Sequence, residues 1–140
     1  MVTGLVNNQV QTQMLTHPRA KFKALENPPE AELHLSMFQF MLPDGEAVEI
    51  ASQSLILIGR QVSNKHQVDL DLSKFGAQSG VSRTHVAIQI THSAVFVRDF
   101  ESRNGVFLNG EILQPMEDYI LRDGDELKLG AVKLRVIFVP

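Results

Sequence analysis

The chain has 140 residues, of which 44% are hydrophobic and 21% charged, as suits one ordinary globular domain with a single buried core. It contains no cysteine, which removes disulfides, thiol nucleophiles and thiolate metal sites together, and no unbroken apolar run of the length that spans a membrane. A net charge of −3 argues against a broad nucleic-acid-binding face.

Residues 1–32 show no sustained period, contain Pro18 and Pro28-Pro29, and read as an irregular N-terminal arm. A short helix over residues 19–26 would stop before those prolines. Residues 1–13 have neither the basic region nor the apolar core of a secretory signal, so the expected compartment is the cytoplasm.

From Leu33 the pattern changes to period two. Leu33, Leu35 and Met37 alternate with His34, Ser36 and Phe38, and Pro43-Asp44-Gly45 marks a turn. Residues 47–51 and 54–59 read as the next strands, the second apolar on both faces at Leu55, Ile56, Leu57 and Ile58 and therefore expected at the centre of a sheet. Val86, Ile88 and Ile90 alternate with Ala87, Gln89 and Thr91, and Val95 and Val97 follow. Val106-Phe107-Leu108 leads into Asn109-Gly110, a hairpin signal because both residues tolerate positive φ. Val132, Leu134, Val136 and Phe138 close the chain as a long strand. Many short strands with frequent turn signals predict an all-β fold, an antiparallel β-sandwich over residues 33–140.

Charge is unevenly spread. Between Gly59 and Gly105 there are six basic and four acidic residues, against seven and twelve elsewhere, which suggests a local anion site in an acidic protein. That basic stretch carries Gly59-Arg60, then Ser82-Arg83-Thr84-His85, then Ser102-Arg103-Asn104-Gly105. Asn109-Gly110 and the turn around Gly124-Asp125 follow. A phosphorylated side chain carries nearly two negative charges on three acceptor oxygens, and it suits a planar, always-charged guanidinium joined by hydroxyl and amide donors on loops. Arg60 at the end of a strand, Ser82 before the next one and Arg103-Asn104 in a glycine-closed loop supply those groups.

This ordered set resembles the signature of the forkhead-associated (FHA) family: Gly-Arg, Ser-x-x-His, a Ser-x-Asn-Gly loop and a trailing Gly-Asp turn. The resemblance covers residues 33–140 and implies a β-sandwich that recognises phosphothreonine peptides, is not an enzyme and needs no cofactor. It implies phosphate contacts from Arg60, Ser82 and Arg103, a bond from Asn104 to the peptide backbone past the phosphothreonine, and a further peptide contact from Arg83. His85 would brace the loops. The implied partner is a threonine-phosphorylated protein or peptide downstream of a Ser/Thr kinase, with neither nucleic acid nor membrane. Val106 departs from the family, which usually has threonine there.

Other readings stand beside this one. Ser82, His85 and Asp99 can be assembled on paper into a hydrolytic triad, but no nucleophile elbow accompanies them. An FHA scaffold could also dock a partner without phosphate as a structural subunit. Phosphorylation of Thr3, Thr12 or Thr16 would allow self-association through the arm. The histidines do not suggest a metal site, since His85 and His92 lie at an odd offset.

Overall fold

The computed structural model describes residues 32–140, in which period-two alternation sorts eleven strands into two sheets. The strands are β1 (Met37–Met41), β2 (Ala47–Ala51), β3 (Leu55–Gly59), β4 (Leu70–Asp71), β5 (Val86–Ile90) and β6 (Val95–Asp99), then β7 (Val106–Leu108), β8 (Glu111–Ile112), β9 (Asp118–Ile120), β10 (Glu126–Leu129) and β11 (Val132–Val139). One sheet runs β2-β1-β11-β10-β7-β8 and the other β4-β3-β5-β6-β9. All pairings are antiparallel except β3 with the two-residue β4, which are parallel. The expected arm and its short helix lie outside the described residues, apart from Glu32. Among the described residues no helix is long and apolar enough to cross a membrane.

Inward residues of the two sheets meet in one core. Phe38 and Phe40 of β1 and Val136 of β11 face Ile56, Ile58 and Ile88 from the other sheet, all fully buried. Each such side chain contributes roughly 1.5–3 kcal/mol of hydrophobic stabilisation. Phe38 also meets Phe138 edge to face at 5.2 Å, a favoured ring geometry.

Two expectations need correction. The strand does not begin at Leu33: Ser36 bonds back to Val139, pairing starts at Met37, and the buried set is Phe38, Phe40 and Leu42. Leu33 and Leu35 instead pack against the core from the sandwich end, where the Leu33 amide reaches the His92 carbonyl. The apolar strand β3 does lie inside its sheet, between β5 and the two-residue β4, but it is not buried on both faces, since Leu55 is 47% exposed.

Register places the functional loops. Ile58 pairs with Val86, and Val86 pairs with Asp99, so the C-terminal ends of β3 and β6 and the start of β5 lie at one end of the sheet. The long β4–β5 connection carries two short 3-10 turns, Ser73–Phe75 and Ala77–Ser79. It is pinned to the other sheet where the Ala131 amide donates to Ser79 O at 2.8 Å.

Candidate functional site

Gly59 is required at the end of β3 by a close approach of two backbones. A Cβ at this position would lie 1.9 Å from the carbonyl oxygen of Arg83, a distance no side chain tolerates. That proximity lets the Arg60 amide donate to both Ser82 O and Arg83 O, at 3.0 and 3.1 Å. The half-buried Arg60 side chain then donates from Nε to Val81 O at 3.1 Å. Its terminal nitrogens lie beyond this anchor, and among the described residues no carboxylate pairs with them.

His85 joins the loops from beneath. It is fully buried, and its own backbone is tied to Ile58 of β3 and to Phe100 just past β6. Nδ1 accepts the Ser82 amide at 2.9 Å, and Nε2 lies 2.8 Å from Gly105 O. A carbonyl only accepts, so Nε2 carries the proton and the ring is neutral. Burial pushes the imidazole below its ordinary value, partly opposed by the bond to Gly105 and by the charge of Asp99. The buried Asp99 in turn shapes the next loop by accepting the Ser102 amide at 2.9 Å.

Two further bonds close the loop cluster. The Arg103 amide donates to Ser82 Oγ at 3.1 Å, and Asn104 Nδ2 donates to Gly80 O at 2.8 Å. Gly80 has φ +81, and a Cβ there would meet Asn104 Nδ2 at 2.7 Å. Glycine therefore serves this position twice, through its left-handed backbone and its lack of bulk. One Asn104 N–H and its carbonyl oxygen stay outside that bond.

The result is a cleft of about 470 Å³ with Arg60, Ser82, Arg83, Arg103 and Asn104 around it. The structure thus brings together all five residues singled out from the sequence. Gly80, Val81 and Ala77 complete the lining and were not anticipated. Gly80 follows a short polar, glycine-flanked stretch that signals only a turn. His66 is also more than a scattered histidine, because its Nε2 lies 2.7 Å from Thr84 Oγ1 and ties the β3–β4 loop to the Ser82 loop.

This geometry suits anion capture and does not suit a Ser-His nucleophile. His85 meets the backbone amide of Ser82, not its hydroxyl, and both ring nitrogens are committed to backbone groups. His85 therefore has no free nitrogen to take the hydroxyl proton.

Fold and site together define a loop-end binding module on a β-sandwich. The FHA-domain family model matches residues 56–130, and the chain belongs to that family. FHA domains are interaction modules. The chain is 34% identical to Protein FraH of Nostoc sp. over 56% of its own length, and it spans only 27% of that protein. A structure described as phosphothreonine-dependent FHA domain interactions aligns with TM-score 0.58 and 25% identity, covering 74% of this chain and 98% of the other. The FHA domain of an Arabidopsis thaliana hypothetical protein aligns with TM-score 0.64 and 24% identity, over 81% and 95% of the two chains, and speaks to fold alone.

Proposed function

We propose that this domain binds phosphothreonine peptides through the Arg60 cleft, as a cytoplasmic adaptor downstream of a Ser/Thr kinase. The observation that carries the reading is the anchored Arg60 guanidinium facing Ser82, Arg103 and Asn104 across one cleft. Arg60 and Arg103 neutralise the phosphate dianion while the Ser82 hydroxyl donates to it. Asn104, held at Gly80, offers its remaining N–H and its carbonyl oxygen to the peptide backbone beyond the phosphothreonine. Arg83 contacts the peptide at the rim. Exposed Ala77 provides apolar surface for the threonine methyl, worth about 1 kcal/mol over phosphoserine. The likeness to a domain described by phosphothreonine-dependent interactions supports the same reading. The chain acts by binding and performs no chemistry.

Calorimetric titration with one peptide in phosphothreonine, phosphoserine and unmodified forms tests this. Micromolar binding of the first, weaker binding of the second and none of the third is expected. Equal binding of all three forms would place the function in phosphate-independent docking.

A further inference from the structure

The outer face of the β4-β3-β5-β6-β9 sheet is apolar where a solvated sheet face is ordinarily polar. Ile56, Ile58, Ile88, Val97 and Tyr119 point into the core, so their neighbours along each strand point outward. Register sets these outward residues in two rows. Leu55, Gln89, Phe96 and Ile120 form the first, and Leu57, Ala87, Arg98 and Asp118 the second. The two charges of the second row neutralise each other in a bidentate pair. The other sheet differs, with Glu49, Glu126, Lys128, Lys133 and Arg135 on its outer face. An apolar face of this kind calls for a cover.

Where the chain enters the sandwich points to the occupant. The Leu33 amide donates to His92 O at 2.6 Å, and His92 lies in the β5–β6 turn, beside the Ile90–Val95 and Gln89–Phe96 pairs. Residues 1–31 therefore join the fold at one end of this same sheet. Ten residues separate Phe22 from Glu32, enough to reach about 33 Å when extended, whereas five strands span roughly 19 Å.

Charge points the same way. Asp69 borders the face along β4, where it accepts the Leu57 amide at 2.8 Å and Gln53 Nε2 at 3.1 Å. Asp71 follows beside Gly59, and neither carboxylate makes an ion pair with a described residue. The basic residues of segment 1–31 are Arg19, Lys21 and Lys23, all close to Phe22, with Leu25 just beyond. Apolar and cationic side chains thus alternate there, the complement of an apolar face edged by carboxylates.

We infer that the chain's own residues 19–25 cover this face. Phe22 and Leu25 meet the row of Leu55, Phe96 and Ile120, and the basic side chains turn toward the β4 edge at Asp69. The Arg60 cleft lies at the opposite end of the sheet, so the inference is independent of the phosphothreonine reading.

The chain has no cysteine, so Ala24→Cys in the full-length protein carries a single nitroxide label. Amide NMR signals of Leu55, Gln89, Phe96 and Ile120 should lose most of their intensity relative to the reduced label. The loss should vanish when Phe22→Asp is added and lessen when Asp69→Asn is added. A mixture of isotope-labelled protein without nitroxide and nitroxide-labelled protein without isotope should show none. Full intensity on this face, or a loss that persists with Phe22→Asp, overturns the inference. A loss in the mixed sample overturns it too, because the cover is then a second copy.

Discussion

Ser82 Oγ accepts the amide proton of Arg103 across 21 residues of sequence, at 3.1 Å. The bond ties two recognition loops together and occupies a lone pair on the hydroxyl. Its own proton is left to donate, which orients Ser82 as a donor toward an anion before any ligand arrives.

Ser82→Ala removes both roles. Binding of a phosphothreonine peptide should weaken by about 2 kcal/mol, roughly thirtyfold. Stability should fall by only about 1 kcal/mol, since the residue is half-buried at a loop. Ser82→Thr keeps the hydroxyl and should retain part of the affinity. Parallel titrations and urea unfolding curves check these values.

His85→Ala should cost about 2–4 kcal/mol of stability, because it leaves a buried cavity and unpairs the Ser82 amide and the Gly105 carbonyl. Peptide affinity should drop with it as three loops loosen. Denaturant unfolding of the variant measures the first effect, and titration below its transition measures the second.

The same histidine sets a pH dependence. Its folded pKa lies below the ordinary 6.5, so the unfolded chain takes up a proton first as the pH falls. Its contribution is fully present above that value and is lost as the pH drops from 6.5 through the folded pKa. Urea midpoints should therefore decline from pH 7.5 to pH 5.5, and the slope should be shallower in His85→Gln. An equal slope in both proteins would assign the effect elsewhere.

Gly59→Ala is expected to unfold the recognition end or the whole domain, at a cost of about 3 kcal/mol or more, since the new methyl meets a backbone carbonyl that cannot yield. Thermal unfolding followed by circular dichroism reads this directly. By contrast, Asp118→Asn breaks the bidentate pair with Arg98, which is about one-third exposed, and should cost about 0.5 kcal/mol without changing peptide affinity.

Gly59 also illustrates how far the residues alone reach. Gly-Arg was legible as a motif, but the reason for glycine was not, because it lies in the carbonyl of Arg83, 24 positions away. The five cleft residues were legible since each sits in a short ordered pattern at a strand edge. Gly80 and His66 were not, because their roles are single bonds to Asn104 and Thr84 made only by the folded chain. Alternation located most strands, yet it misassigned the entry to β1, where the bond of Ser36 to the last strand sets the register. The two-residue strands β4 and β8 are too short to show a period at all.

The central claim is that a held guanidinium at the end of β3 grips a phosphate. Titration of one phosphothreonine peptide against the wild type and Arg60→Ala tests it most directly, with circular dichroism on both. Arg60→Ala keeps the backbone amide bonds to Ser82 and Arg83 and should fold normally, yet bind at least a hundredfold more weakly. A folded Arg60→Ala protein with unchanged affinity would contradict the account.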